Sequence, residues 1–167
     1  MQKKVLTEQA LYFGDVSMPK HWEIDCNDLA HHILHSTLTN KDIIFSRTLD
    51  KLMTYVREHV GIKHNINLIN KKVTGNIYKP LEKSLPTSDV DQTDLRNSPD
   101  FTMLYGVKVK NCSVKIYYDD NRRKGRSWDI PLTNNKFIMF PSNNTYCIIN
   151  NQKEQLNFVQ KITFEYI

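Results

Sequence analysis

The spacing of apolar residues changes twice along the chain. In residues 1–24, Val5, Leu6, Leu11, Tyr12 and Phe13 are apolar without helical spacing and Pro19 interrupts them, so the stretch reads as extended. Leu29, Ile33, Leu34 and Leu38 then share one helical face, which predicts a helix over 25–38. Asp25 can cap it, and Ile24 can staple onto Leu29. A second helix is predicted over 46–60, capped by Ser46, with Leu49, Leu52, Met53, Val56 and Val60 as its apolar stripe. Gly61 stands where a left-handed C-terminal cap belongs. Beyond it the period falls to two. Ile66, Leu68, Val73, Ile77 and Tyr78 are strand formers with polar residues between them. Further strands are predicted at 101–109, 113–118, 128–132, 137–140, 146–149 and 158–167. In the last of these, Ile162, Phe164 and Tyr166 alternate. Residues 79–100 carry Pro80, Pro86 and Pro99 and read as a long irregular loop, a length usually kept for function or motion.

Two helices followed by six or so strands predict an α+β fold, a barrel or sandwich with the helices packed outside. A chain of 167 residues can bury its own core, and a single domain is expected over 1–167: an arm and helices over 1–64 and the β-barrel over 65–167. With 40% hydrophobic and 25% charged residues, the composition is that of a soluble globular protein. A net charge of +5 and a pI near 9.0 suit an acidic partner without requiring one. Cys26, Cys112 and Cys147 are odd in number and far apart, which argues against a disulfide framework or a zinc ribbon and for a reducing compartment. The N-terminal M-Q-K-K-V-L-T-E-Q-A-L has no apolar stretch for a leader or a membrane span, so the protein is expected to stay inside the cell that makes it, or in a particle assembled there. Its abundant Asn and Lys fit an AT-rich genome, as many phages have.

Three stretches invite a chemical reading. In H-H-I-L-H, His31 and His35 share a helix face at metal-binding spacing, but there is no carboxylate between them and no evident third ligand; solvated histidines are expected there. D-D-N-R-R-K-G-R, residues 119–126, reads as a hairpin tip. Its Arg122, Arg123, Lys124 and Arg126 form the densest basic cluster and the candidate partner-binding site, for an acidic protein surface. Nucleic acid is disfavoured there because no row of aromatics accompanies the charge. Asp89, Asp91, Asp94 and Asp100 only superficially resemble a calcium loop, lacking its glycine and final glutamate. No phosphate-cradling glycine motif and no nucleophile elbow is present, and neither Cys112 nor Cys147 has a histidine near it in the barrel half.

Residues 99–167 resemble the double-stranded β-helix of the Fe(II)/2-oxoglutarate-dependent oxygenases, and most of the chain resembles small proteins of contractile-tailed cyanophages and related marine phages. The resemblance is carried by L-R-N-S-P-D-F-T-M-L-Y-G-V (95–107), Y-D-D-N-R-R-K-G-R-S-W-D-I-P (118–131), F-I-M-F-P-S (137–142) and Q-L-N-F-V-Q-K-I-T-F-E-Y-I (155–167), and more weakly by W-E-I-D near Trp22. It implies a jelly-roll, cupin-like barrel with the two N-terminal helices packed on it. The oxygenase pattern needs two histidines and a carboxylate around iron. Carried over, its H-x-D falls near Ser98-Pro99-Asp100, its distal histidine on Tyr146, and its cosubstrate-pairing arginine on Lys161. All six histidines (His21, His31, His32, His35, His59 and His64) precede residue 65. The expectation is therefore a non-catalytic phage structural or assembly protein without cofactor or metal. It would contact other virion proteins, with an oligomer in a particle left open and no membrane partner, first in the host cytoplasm and then in the virion or its tail. Two alternatives stay open. One is an oxygenase with displaced ligands, an early histidine joining Asp89, Asp91 or Asp100. The other is a cupin-like module for a small molecule or sugar.

Overall fold

Each helix starts at the residue that caps it. The Asp25 carboxylate accepts from the N–H groups of Asn27 and Asp28 and opens helix α1, Cys26–Thr39. The Ser46 hydroxyl accepts from the Leu49 N–H at 3.2 Å and opens α2, Arg47–Val56. These bonds satisfy amides that have no partner inside a helix. The computed structural model describes residues 2–4, 9–17, 23–118 and 126–167.

The end of α2 departs from the expectation. The helix widens into π-helical turns over Arg57–Ile62, and the left-handed residue that follows is Asn65 (φ 56°), not Gly61. Gly61 is needed for a close approach instead. The chain folds back so that the Ile66 N–H donates to the Gly61 carbonyl at 2.8 Å, and a Cβ on Gly61 would stand 2.6 Å from the Ile66 carbonyl oxygen.

Among the described residues eight strands form two antiparallel sheets. They are β1 (Tyr12–Asp15), β2 (Leu68–Tyr78), β3 (Phe101–Lys108), β4 (Cys112–Tyr118), β5 (Arg126–Leu132), β6 (Lys136–Pro141), β7 (Thr145–Asn150) and β8 (Asn157–Tyr166). The larger sheet has the order β1-β6-β3-β8-β2 and the smaller β5-β4-β7. The short β1, from the extended N-terminal stretch, pairs Tyr12 with Met139 and Gly14 with Phe137 and so joins the barrel sheet.

The larger sheet is buried on both faces, which is why β3 and β6 read as continuous apolar runs. On its outer face Met103, Tyr105, Val107, Phe137, Met139, Ile162 and Phe164 meet Leu29, Ile33, Leu49, Leu52, Met53 and Val56 of the two helices. Gly75 of β2 makes room for α1, since any Cβ there would collide with the Ile33 side chain. On the inner face Leu104, Ile138, Phe140 and Val159 pack against Val114, Ile116, Ile130, Leu132, Tyr146 and Ile148 from the smaller sheet and its neighbours. The architecture is the expected α+β double-stranded β-helix with two helices on its flank.

Residues 79–100 are more ordered than their prolines suggest. Residues 81–89 run antiparallel along β7. Ser84 N–H donates to Ile148 O, Asn150 N–H to Glu82 O, and Thr87 and Tyr146 exchange both backbone bonds, at 3.0 and 2.8 Å. Pro86 falls between bonded positions, so its missing N–H costs nothing. The segment covers the free edge of β7 and carries Asp89 to one end of the barrel.

Candidate ligand site at the barrel mouth

Strand alternation decides which polar side chains face inward. On β8, Ile162 and Phe164 point at the helices, so Lys161 and Thr163 point the other way. Register sets Lys161 opposite Leu104 on β3 and Thr74 on β2, and Thr163 opposite Thr102 and Lys72. At this end the apolar filling stops and a polar cluster begins.

Asp89 is its centre. Its Oδ1 accepts from the Lys161 ammonium at 2.6 Å. Its Oδ2 accepts from the Thr102 hydroxyl at 2.8 Å and from the Tyr146 phenol at 3.2 Å. Thr102 also shares a 2.9 Å hydrogen bond with Ser142, and the Asp89 N–H donates to the Ser142 carbonyl. The Lys161 and Asp89 side chains are 21% and 15% exposed, so the pair keeps an opening to solvent. Beside it lies a cavity of about 400 Å³ lined by Lys72, Thr74, Asp89, Asn97, Lys161 and Thr163, among others. The Thr74 hydroxyl is buried there with no hydrogen-bond partner among the described residues. Lys71 at the rim is paired with Glu165.

The other aspartates of the loop are used in turns. Asp91 accepts from the Thr93 N–H and hydroxyl, and Asp94 caps the single helical turn Leu95–Asn97. Asp100 accepts from the Tyr166 N–H. The H-x-D position assigned to Ser98-Pro99-Asp100 is therefore corrected, because the residues that face Tyr146 are Thr87 and Asp89. The sequence reading had Asp89 among the loop aspartates and, beside Asp91 and Asp100, as a candidate displaced ligand; nothing local sets it apart from the other two, because its place depends on the pairing of 81–89 with β7.

The histidines lie elsewhere. His31 and His35 are exposed on α1, and His32 is 3.7 Å from Asp28. His59 stacks on Tyr55, with ring centroids 3.9 Å apart, and His64 packs on Tyr12 at 4.6 Å, both on the helix side of the larger sheet. His21 lies outside the described residues. Among the described residues no three His, Cys, Asp or Glu side chains come together as a metal site. The mouth offers one carboxylate, hydroxyls and a phenol. Burial first, then the Asp89 charge, pushes that Tyr146 phenol far above its ordinary range and keeps it protonated. An ammonium already stands against the carboxylate where a cation would have to sit. This donor set does not fit Fe(II). Of the basic hairpin, Arg122, Arg123 and Lys124 lie outside the described residues, while Arg126 opens β5, exposed and opposite Tyr118.

The barrel interior adds a pH dependence. Burial pushes the Cys112 thiol from 9.0 up to about 12, and burial raises Tyr78, Tyr105 and Tyr146 well above the usual phenol value. The folded state holds these protons more tightly than the unfolded chain. Their contribution is complete below pH 9 and is lost as pH rises through the folded values. Thermal melts are expected to be flat from pH 7 to 9 and to fall steeply above it, by about 1.4 kcal/mol per pH unit for each group in its window. Cys112→Ala should delay the onset.

No family model matches the chain, and no curated protein matches it. Its fold does match solved structures. A prolyl-4-hydroxylase of Pseudomonas putida superposes with a TM-score of 0.66 at 11% identity, covering 94% of this chain and 88% of the other. The viral collagen prolyl hydroxylase of Paramecium Bursaria Chlorella virus-1, in its 2OG complex, gives 0.61 at 15% identity over 92% and 94%. The non-heme alpha ketoglutarate dependent epimerase SnoN of nogalamycin biosynthesis gives 0.66 at 7% over 93% and 77%. At such identities the likeness shows the fold. It also corrects the expectation of a non-catalytic structural or assembly protein, because the neighbours that share this fold are enzymes, two prolyl hydroxylases and an epimerase. Among the described residues no helix is long and apolar enough to cross a membrane.

Proposed function

We propose that the protein is of the 2-oxoglutarate oxygenase type, and that its barrel mouth receives a small organic carboxylate with 2-oxoglutarate's chemistry. The observation that carries this reading is the inward Lys161 at the open end of the barrel. Exposed Lys72 and the unpartnered Thr74 hydroxyl lie beside it. Two lysines and a hydroxyl donor in a half-enclosed cavity suit a carboxylate. The fold's enzymes supply the ligand class, one of them solved as a 2OG complex. The lysines would bind and orient the carboxylate, and the apolar filling of Leu104, Phe140 and Ile148 closes the barrel below it. The family's iron would supply oxygen activation. The donor set around Asp89 does not fit that metal.

The test is thermal unfolding with 2-oxoglutarate, with and without Mn(II) as an oxygen-inert stand-in for iron. A ligand at a hundred times its dissociation constant adds about 2.7 kcal/mol, several degrees in a domain of this size. A shift with 2-oxoglutarate alone is expected. A shift that needs both ligands would mean that the Asp89 carboxylate gives up Lys161 to bind a metal and that the chain is a metal-dependent enzyme. No shift under either condition overturns the reading.

A further inference from the structure

We propose that Asp89 is a resident carboxylate that competes with the incoming ligand for Lys161. The inference rests on the reading of the mouth as a carboxylate site and adds what controls its affinity. The Lys161 ammonium lies 2.6 Å from a carboxylate of the chain itself, so the mouth as folded already holds one anion. Three donors converge on that carboxylate, from Lys161, Thr102 and Tyr146, and its two oxygens use both sides. Asp89 thus occupies the position that a ligand's carboxylate would take on the lysine.

The rest of the cavity is not occupied in this way. Among the described residues Lys72 makes no ion pair, and the Thr74 hydroxyl points at no acceptor. An incoming dicarboxylate can therefore place one end on Lys72 and Thr74. Its other end reaches Lys161 only by displacing Asp89. The displacement has a route. Asp89 lies two residues beyond Thr87, the last residue of the 81–89 segment that exchanges backbone bonds with β7, and past Thr87 the one backbone hydrogen bond shown from the segment to the barrel is Asp89 N–H to Ser142 O, at 3.2 Å. Residue 89 can withdraw without unpairing the segment before it. The ligand class follows from the same geometry. A dicarboxylate gains both contacts, whereas a monocarboxylate has no reason to open the pair.

The experiment is titration calorimetry of 2-oxoglutarate and of succinate, in EDTA, into the full chain and into Asp89→Asn and Lys161→Met. The Asn amide keeps the shape and an oxygen for Thr102 and Tyr146 while giving up the charge that holds Lys161. Asp89→Asn is expected to bind both dicarboxylates about tenfold more tightly than the parent, the worth of a partly exposed ion pair released. Lys161→Met should bind neither. Asp89→Ser, with circular dichroism on each variant, separates a charge effect from misfolding. If the parent binds and Asp89→Asn and Asp89→Ser bind equally well or more weakly, the competition is wrong while the carboxylate reading stands. If neither the parent nor any folded variant binds, the carboxylate reading itself falls, and the competition with it.

Discussion

Lys161→Met is expected to destabilise the protein by about 2 kcal/mol near neutral pH. The methionine fills nearly the same volume against Leu104 and Thr74, so little of the loss is packing. What remains is a carboxylate without its cation. Removing one partner of a fully buried pair costs about 3–5 kcal/mol. The two side chains here are 21% and 15% exposed, and Thr102 and Tyr146 still donate to Asp89, so solvent and these bonds reduce the figure. Asp89→Asn alone should cost less, since the lysine it strands is the more exposed partner and can turn to water. The double variant should recover more than half of the Lys161→Met loss. A double-mutant cycle in urea checks this, with unchanged m-values confirming that the folded and unfolded states stay comparable. Simple additivity would mean that the pair contributes nothing to the fold and that Asp89 is held by its hydroxyl donors alone.

Whatever rests on local chemistry is legible in the sequence. Asp25 and Ser46 cap their helices because a side-chain oxygen two or three residues from a bare amide needs no distant partner. The inward position of Lys161 was also implicit. Once Ile162, Phe164 and Tyr166 share one face of the last strand, the alternate residues fall on the other. A lysine in a strand buried on both faces is then a signal of a site. The π-helical turns over Arg57–Ile62 were hidden because the apolar stripe runs on to Val60 at ordinary helical spacing. Asp89 was hidden because its place depends on a distant strand. Residues 81–89 are polar, broken by proline and without alternating apolar residues, so they carry no strand pattern. Their order comes from β7, more than fifty residues further on. An H-x-D placed by spacing before a strand therefore falls at 98–100, whereas the residues beside Tyr146, Thr87 and Asp89, lie eleven positions earlier.

The largest loss of stability is expected from Phe140→Ala, about 3–5 kcal/mol. Phe140 is completely buried in the space between the two sheets, and its ring meets the Tyr146 ring nearly edge-on, with centroids 5.0 Å apart. Its neighbours on the strand point the other way, toward the helices, so none can turn in to fill the gap. The effect has a direction beyond stability. Tyr146 is held between Phe140 on one side and the Asp89 carboxylate at its hydroxyl, so losing the ring loosens a donor to Asp89 as well as the core. Phe140→Leu should keep most of the volume and cost about 1.5 kcal/mol or less. Guanidinium denaturation of the two variants, read by tyrosine fluorescence and circular dichroism together, checks the order and the size. A loss under 2 kcal/mol for the alanine variant would mean that the sheets close over the gap. In that case the mouth, whose strand residues belong to the same two sheets, should shift with them, and carboxylate affinity should change in step with stability. A loss in the expected range with unchanged affinity would instead show that the polar mouth is positioned by the backbone pairing of β3, β8 and residues 81–89, independently of the aromatic core beneath it.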